Sequence, residues 1–303
     1  MKIFITGATG YIGFAAAVAF ARAGHHVRGL ARTAEKGKKL ARHEIEPVLG
    51  SLEDPASLVA GAADCQVVVH TAAEMSQRMF DLDRGAVRAL TGTLSEAKLP
   101  RKFVYTSGVW LYGDTGATLV DEGTALRPVP LVAGRVEVEQ TVLAANVGPL
   151  RTIVLRPGCV YGGSGSLTGS WFESATDGNA ARFVGTGTNR WAMIHVEDLA
   201  DAYVRAALSP FGGEVFNVTD RSRFTVEECA RAASRAAGRE GRVEAVPVAD
   251  ARAKMGPFAD CLALDQHVDS RKAAALLGWN PQHGGFVDGV ARYYTAWKAL
   301  RGA

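Results

Sequence analysis

The feature that most constrains this chain stands at its start. Lys2-Ile3-Phe4-Ile5 runs directly into Thr6-Gly7-Ala8-Thr9-Gly10-Tyr11-Ile12-Gly13, and an Ala-rich segment follows to about Ala23. The apolar run reads as a strand and the Ala-rich stretch as a helix, which puts the three glycines in the turn between them. Glycine there permits a tight turn, close approach of backbone to a pyrophosphate, and close packing of helix on strand. The helix N-terminus contributes unbonded N–H groups and a dipole that favours an anion. The segment therefore points to a dinucleotide held by Gly7, Ala8, Thr9, Gly10, Tyr11 and Ile12.

Short β-rich runs alternate with helix-like segments through the first half of the chain. Val27–Leu30, Val48–Leu49, Val67–Val69, Phe103–Tyr105 and Ile153–Leu155 read as strands. The intervening helices are expected at about Ala34–Arg42, at a short segment opened by Asp54-Pro55, at about Arg84–Ala97 and at about Val132–Ala145. Such alternation implies a parallel sheet with helices on both faces. After Pro157 the rhythm breaks into a Gly/Ser/Thr-rich stretch over 158–190. A helix at about Val196–Leu208 and a strand at Val215-Phe216 return to the pattern, and 222–303 is α-rich, ending in an amphipathic helix around Val287–Leu300. The expected class is α/β, a Rossmann-type doubly wound parallel sheet with a small interleaved C-terminal substrate-binding cap. Residues 1–157 and about 191–218 would form the nucleotide-binding part, and 158–190 with about 219–303 the cap.

The 303 residues are 48% hydrophobic and carry a formal charge of +3. That composition suits a buried core and gives no reason to expect a nucleic-acid or membrane partner. Cys65, Cys159, Cys229 and Cys261 are far apart and show neither zinc spacing nor a disulfide framework, so no metal is expected. With a strand at the very start and no membrane-length apolar run, the expected location is the cytoplasm.

The end of the second strand selects the coenzyme. It reads Gly29-Leu30-Ala31-Arg32-Thr33, with no carboxylate before Glu35. An acid there would hold a ribose 2′-hydroxyl, whereas a guanidinium accommodates a 2′-phosphate. Arg32, with Lys36 as a second charge, points to NADP rather than NAD.

These residues, together with four further segments, resemble the extended short-chain dehydrogenase/reductase superfamily, of the NAD-dependent epimerase/dehydratase type. The segments are Val69-His70-Thr71-Ala72-Ala73, Phe103 to Ser107 with Leu111-Tyr112-Gly113-Asp114, Leu155-Arg156-Pro157-Gly158-Cys159-Val160-Tyr161-Gly162, and Ile194-His195-Val196-Glu197-Asp198. The resemblance implies further coenzyme contacts from Ser51, Leu52, Thr71, Ala72, Ala73, Thr106, Pro157, Gly158 and Val160. It also implies a homodimer paired through the helices after strands four and five.

The family's chemistry rests on a Tyr-x-x-x-Lys pair on the helix after strand five. The Lys slot here holds Arg135, the Tyr slot Leu131, and the strand-five Ser/Thr slot Gly108. No lysine occurs between Lys102 and Lys254 and no asparagine before Asn146, so neither a shifted motif nor the helix-four Asn is present. The literal match Tyr294-x-x-x-Lys298 falls on the last helix. Arg135 keeps the charge that binds the nicotinamide ribose but cannot be a neutral base. Tyr112 and Tyr161 are the candidates for a replacement proton donor, and each also reads as a packed aromatic with a satisfied hydroxyl. Gly108, Trp110, Trp171, Arg190 and Trp191 are candidates for the substrate wall.

The function expected is NADP(H)-dependent oxidoreduction of a small hydrophobic carbonyl or enone by a degenerate catalytic set. Two alternatives stay open. One is a non-catalytic NADP(H) sensor. The other is an epimerase, dehydratase or isomerase that holds its coenzyme tightly.

Overall fold

The computed structural model describes residues 1–74, 76–163 and 165–301. The chain order begins β1 (Lys2–Thr6), α1 (Tyr11–Arg22), β2 (His26–Ala31), α2 (Ala34–Ala41), β3 (Glu46–Leu49), α3 (Pro55–Ala62), β4 (Val67–His70), α4 (Met79–Ser95) and β5 (Arg101–Thr106). It continues with β6 (Leu119–Val120), α5 (Arg135–Ala144), β7 (Leu150–Pro157), β8 (Cys159–Tyr161), α6 (Gly169–Gly178), β9 (Ala181–Val184), β10 (Met193–His195), α7 (Val196–Leu208) and β11 (Glu214–Val218). The remainder is α8 (Val226–Ala236), β12 (Val243–Val246), α9 (Val248–Met255), α10 (Phe258–Leu262), β13 (His267–Val268), α11 (Arg271–Leu277) and α12 (Phe286–Leu300).

Seven of these strands form one parallel sheet in the order β11-β7-β5-β4-β1-β2-β3. The order reverses direction between β1 and β4, which opens a crevice at the carboxyl ends of those strands. Strand residues alternate between the two faces. Ile3 and Ile5 of β1 enter the core shared with α1 and α7, whereas Phe4 enters the opposite core under α3 and α4. Both faces are thus covered, as the unbroken apolar run Val67–Val69 requires. Among the described residues no helix is long and apolar enough to cross a membrane.

Three short parallel pairs lie outside the main sheet: β8 with β10, β9 with β12, and β6 with β13. Within 191–218, β10 pairs with β8 and β11 joins the seven-stranded sheet. A third core collects Trp171, Phe172, Trp191, Phe286 and Tyr293 from segments more than a hundred residues apart, which is the physical basis of the cap. The last two positions of the expected cap, 302 and 303, lie outside the described residues.

Two helix starts differ from expectation for local reasons. α4 begins at Met79 rather than near Arg84, and its N-cap Arg78 makes no side-chain cap bond, so no capping signal marks the start. The helix expected from Val132 is divided into a 3₁₀ turn over Pro130–Val132 and α5 from Arg135. Gly134 lies between them, and a Cβ there would stand 2.5 Å from the Phe80 ring of α4.

Candidate coenzyme and substrate site

Three glycines shape the turn between β1 and α1, each for a different reason. Gly7 adopts φ +71°, a conformation L side chains rarely take. A Cβ on Gly13 would lie 2.3 Å from the Gly7 carbonyl oxygen, so only glycine lets α1 pack this closely on the turn. A Cβ on Gly10 would meet only that same oxygen at 3.2 Å, its other sides being open. Gly10 is the N-cap of α1 and makes no side-chain cap bond, which leaves the first amides of the helix free for an external acceptor.

These amides face a cleft of about 390 Å³ lined by Gly7, Thr9, Gly10, Tyr11 and Ile12, with Arg32, Ser51, Leu52, Thr71, Ala72 and Ala73 on its other walls. The cleft lies at the sheet crevice, where the free helix amides and Arg32 favour an anion, and Glu53 and Glu74 also stand on its wall. Ala8 is fully buried and is not part of the wall. Arg32 sits at the rim with its side chain 63% exposed, Nη1 3.5 Å from Glu74. Directly beyond it, Thr33 caps α2 by accepting the Lys36 amide at 3.2 Å. The Lys36 side chain is exposed and does not line the cleft.

Ile12 lines this cleft and also a second cavity of about 250 Å³, so the two lie side by side. The second cavity is walled by Thr106, Ser107, Gly108, Trp110, Leu131, Arg135, Pro157, Gly158 and Val160 together with Met79, Leu111 and Phe258. Arg135 and Leu131, four residues apart at the start of α5, thus border one chamber. Arg135 Nη1 donates to the Thr106 carbonyl oxygen at 3.0 Å and to the Tyr105 hydroxyl oxygen at 3.3 Å. Behind it, Asp83 accepts the Tyr105 hydroxyl at 2.6 Å and the His70 Nε2 proton at 2.9 Å, and His70 Nδ1 lies 2.7 Å from Thr6 Oγ1. Burial alone would raise the Asp83 carboxyl; the bond from His70 and the charges of His70 and Arg135 outweigh it and hold the group below its ordinary value. The result is a guanidinium fixed in place by a buried network that runs from β1 to α5.

The chamber holds few other polar groups. Thr106 Oγ1 is bonded to the Tyr203 hydroxyl at 2.6 Å. Ser107, 8% exposed, has a buried hydroxyl with no hydrogen-bond partner. At Gly108 a Cβ would meet only the Pro157 carbonyl oxygen, at 3.9 Å, so the slot is empty space rather than a steric requirement.

Several expected site residues lie elsewhere. Tyr112 is 2% exposed; its hydroxyl donates to Asn217 Oδ1 at 2.9 Å and accepts from Arg156 Nη1 at 2.8 Å. Tyr161 is fully buried and donates to the Gly284 carbonyl oxygen at 2.7 Å. Burial raises the pKa of both hydroxyls, and neither lines the chamber, so neither replaces the missing tyrosine. Arg190 lines a separate cavity beside Arg221 and Arg271, its Nε donating to the Arg223 carbonyl oxygen at 3.1 Å. Trp171 and Trp191 are stacked in the cap and line a neighbouring cavity rather than the chamber that holds Trp110. Tyr294, of the literal Tyr-x-x-x-Lys match, packs on Phe172 and Trp297.

Tertiary structure adds one group that spacing could not show. His195, Glu197 and His283 bring possible ligand atoms within 4.8 Å of one another. His195 Nδ1 accepts the Glu197 amide at 3.2 Å, which leaves its proton on Nε2. The two imidazoles are stacked at 3.6 Å and 14°, so their in-plane lone pairs run side by side instead of converging. This arrangement suits a helix cap better than a metal.

The model of the family described as NAD dependent epimerase/dehydratase matches residues 3–219. The chain belongs to that family. Among curated relatives, a 4-hydroxy-2-methyl-3-oxo-4-farnesyl-3,4-dihydroquinoline-1-oxide ketoreductase of Stigmatella aurantiaca is 31% identical, covering 73% of this chain and 68% of its own. Among solved structures, the UDP-glucose 4-epimerase of Thermotoga maritima, determined with UDP-glucose, superposes with a TM-score of 0.83 at 19% identity, covering 99% and 100% of the two chains. The human epimerase family protein SDR39U1, determined with NADPH, gives 0.81 at 21% identity over 97% and 99%. At those identities the two structures share the fold with this epimerase/dehydratase family member, and the nicotinamide coenzyme of the family fits the cleft that its backbone amides line.

Proposed function

We propose that this family member is an NADP(H)-dependent oxidoreductase acting on an apolar carbonyl or enone. The observation that carries the proposal is the wall of the inner chamber, where Leu131 and Trp110 face the space beside Arg135. The coenzyme, when bound, supplies or accepts the hydride. Reduction places that hydride on the substrate carbon and a proton from water on the oxygen, the ketone becoming an alcohol as the coenzyme is oxidised. The chain's own residues position and desolvate. The free amides of Tyr11, Ile12 and Gly13 would hold the pyrophosphate, Arg135 would hold the nicotinamide ribose in the chamber that Pro157 and Gly158 also line, and Ser107 would offer its unpaired hydroxyl to the substrate oxygen. Positioning of donor and acceptor contributes about 7–11 kcal/mol, against roughly 3–5 kcal/mol for general acid–base catalysis, so turnover survives the loss of tyrosine. Epimerisation and dehydration need repeated proton transfer and are disfavoured by Leu131. The names of the ketoreductase relative and of the NADPH-bound human protein support the same direction.

NADP is preferred on this reading because Arg32 lines the cleft and no carboxylate ends β2. Arg32→Ser then weakens NADPH binding roughly tenfold to a hundredfold, the worth of charged hydrogen bonds, and leaves NADH nearly unaffected. Equal use of NADH and NADPH by the unaltered protein would refute the preference. NADPH oxidation across ketones, aldehydes and enones tests the activity. Binding without turnover of any of them would favour a sensor, and tightly held nucleotide with no net consumption would favour an isomerase. A cytoplasmic location fits the four buried free cysteines, and pairing of two copies across α4 and α5 follows from the family resemblance. Sedimentation of a monomer at micromolar concentration would rule out that pairing.

A further inference from the structure

Leu167 and Phe258 line the inner chamber and also a larger cavity of about 570 Å³ in the cap. The larger cavity is walled by Trp171, Trp191, Trp297 and Phe183. Trp171 and Trp191 stack with centroids 5.0 Å apart and planes at 18°, and Phe258 meets Trp110 edge-on at 5.9 Å. The three spaces are therefore neighbours in a row: the coenzyme cleft and inner chamber share Ile12 as a wall residue, and the inner chamber and cap cavity share Leu167 and Phe258.

Size decides how a ligand divides along this line. Sites for drug-sized ligands occupy about 300–1,000 Å³. The inner chamber, at about 250 Å³, must admit the reacting end of a coenzyme as well as a carbonyl group. It has no room left for the body of a substrate, and the cap cavity, which shares Leu167 and Phe258 with it, offers an apolar, aromatic wall beside it. Its cations argue against a diphosphate there. Arg182 Nε is bonded to Glu244 at 2.8 Å, which leaves Lys254 as the cation of the cavity wall without a carboxylate partner among the described residues.

We infer that the substrate is an elongated ketone or enone whose alkyl or aryl tail passes between Leu167 and Phe258 and lies against the indoles of the cap cavity. The inference rests on the reductase reading above and corrects its size: the carbonyl end is confined, but the molecule is not small. Specificity then resides in the cap, with Phe258 as the residue at the neck.

The test is a series of methyl ketones from butanone to dodecanone with NADPH, alongside displacement of a hydrophobic fluorescent dye by dodecanone and by a nucleoside diphosphate. If the inference holds, kcat/KM rises with chain length by up to about fourfold per methylene, the factor for burying one such group, until the cavity is filled. Ser170, exposed at the start of α6, lines the cap cavity. Ser170→Trp should lower the ratio of dodecanone to butanone kcat/KM by tenfold or more, with circular dichroism confirming the fold. Dodecanone should displace the dye from the unaltered protein and less readily from this variant. Flat chain-length dependence, or a ratio unmoved by Ser170→Trp, overturns the inference while leaving the reductase reading intact. If neither these ketones nor the aldehydes and enones are turned over, the reductase reading fails, and the dye arm still decides: displacement by the nucleoside diphosphate but not by dodecanone overturns the tail site.

Discussion

At the scale of single residues, two neighbouring glycines separate folding from binding. Gly13→Ala forces a Cβ to 2.3 Å from a backbone oxygen that cannot retreat, so a loss of about 1–3 kcal/mol is expected from overpacking. Gly10→Ala meets its single neighbour at 3.2 Å and should fold nearly normally, but its methyl projects toward the cleft and weakens coenzyme binding. Urea denaturation and NADPH titration of the two variants should therefore rank them in opposite order. Arg135 gives a second residue-scale case. Its position depends on Asp83, which accepts from both Tyr105 and His70. Asp83→Asn leaves one carbonyl oxygen for two donors, at a cost of about 1–3 kcal/mol, and should raise the NADPH dissociation constant without touching the coenzyme. The Gly7–Gly13 run was legible from spacing alone because its constraints are local. Asp83 was not, since nothing in the helix pattern around it marks one carboxylate as buried under a strand.

At the scale of elements, α7 shows how one side chain couples a helix to pH. His195 caps it through Nδ1, and burial, with the adjacent His283 second, lowers the imidazole pKa to about 4 from the ordinary 6.5. Between those values the unfolded chain binds more protons, so this contribution is complete above 6.5 and is lost as pH falls toward 4. The loss is at most about 3 kcal/mol. Asp198, Glu197 and Arg292 also face the pair, and Asp220, raised to about 6 by burial, works in the opposite sense as pH falls. The comparison that isolates the histidine is His195→Asn, which keeps an acceptor at the cap. Between about pH 7 and about pH 5 the variant should lose less stability than the unaltered protein in chemical denaturation. A second element-scale joint is the buried pair of Glu139 on α5 and Arg156 on β7, bonded through Nε at 3.0 Å and extended to Tyr112. Removing one partner strands a buried charge, so Glu139→Gln should cost about 3–5 kcal/mol, read as a shift in the urea midpoint. The aromatic role of Tyr112 follows from this joint. In the sequence it stood beside the strand-five motif and looked available for chemistry.

At the scale of the whole molecule, three cavities share residues in succession: the cleft and inner chamber share Ile12, and the inner chamber and cap cavity share Leu167 and Phe258. Strands β1, β4, β5 and β7 end on the inner part of this line, whereas the segments 165–191 and 246–262 close its outer part. Coenzyme should therefore stabilise the sheet without needing the cap. NADPH at a hundred times its dissociation constant is expected to add about 2.7 kcal/mol to unfolding, visible as a rise in melting temperature, and Gly10→Ala should lose most of that rise.

The amino-acid pattern by itself determined what depends on neighbours along the chain. It set the strand–glycine–helix turn, the alternation that makes a parallel doubly wound sheet, and the identities of Arg32, Leu131 and Arg135 at their slots. Those features arise from steric and hydrogen-bonding rules that act within a few residues. Tertiary structure decided what depends on distant segments meeting. It buried Tyr112 and Tyr161, placed Arg190 outside the chamber, set Asp83 behind Arg135, and brought Phe258 across from the C-terminal third to the neck of the inner chamber. No local pattern marks such residues, because burial and proximity are properties of packing, and packing is fixed only when every element has found its partner.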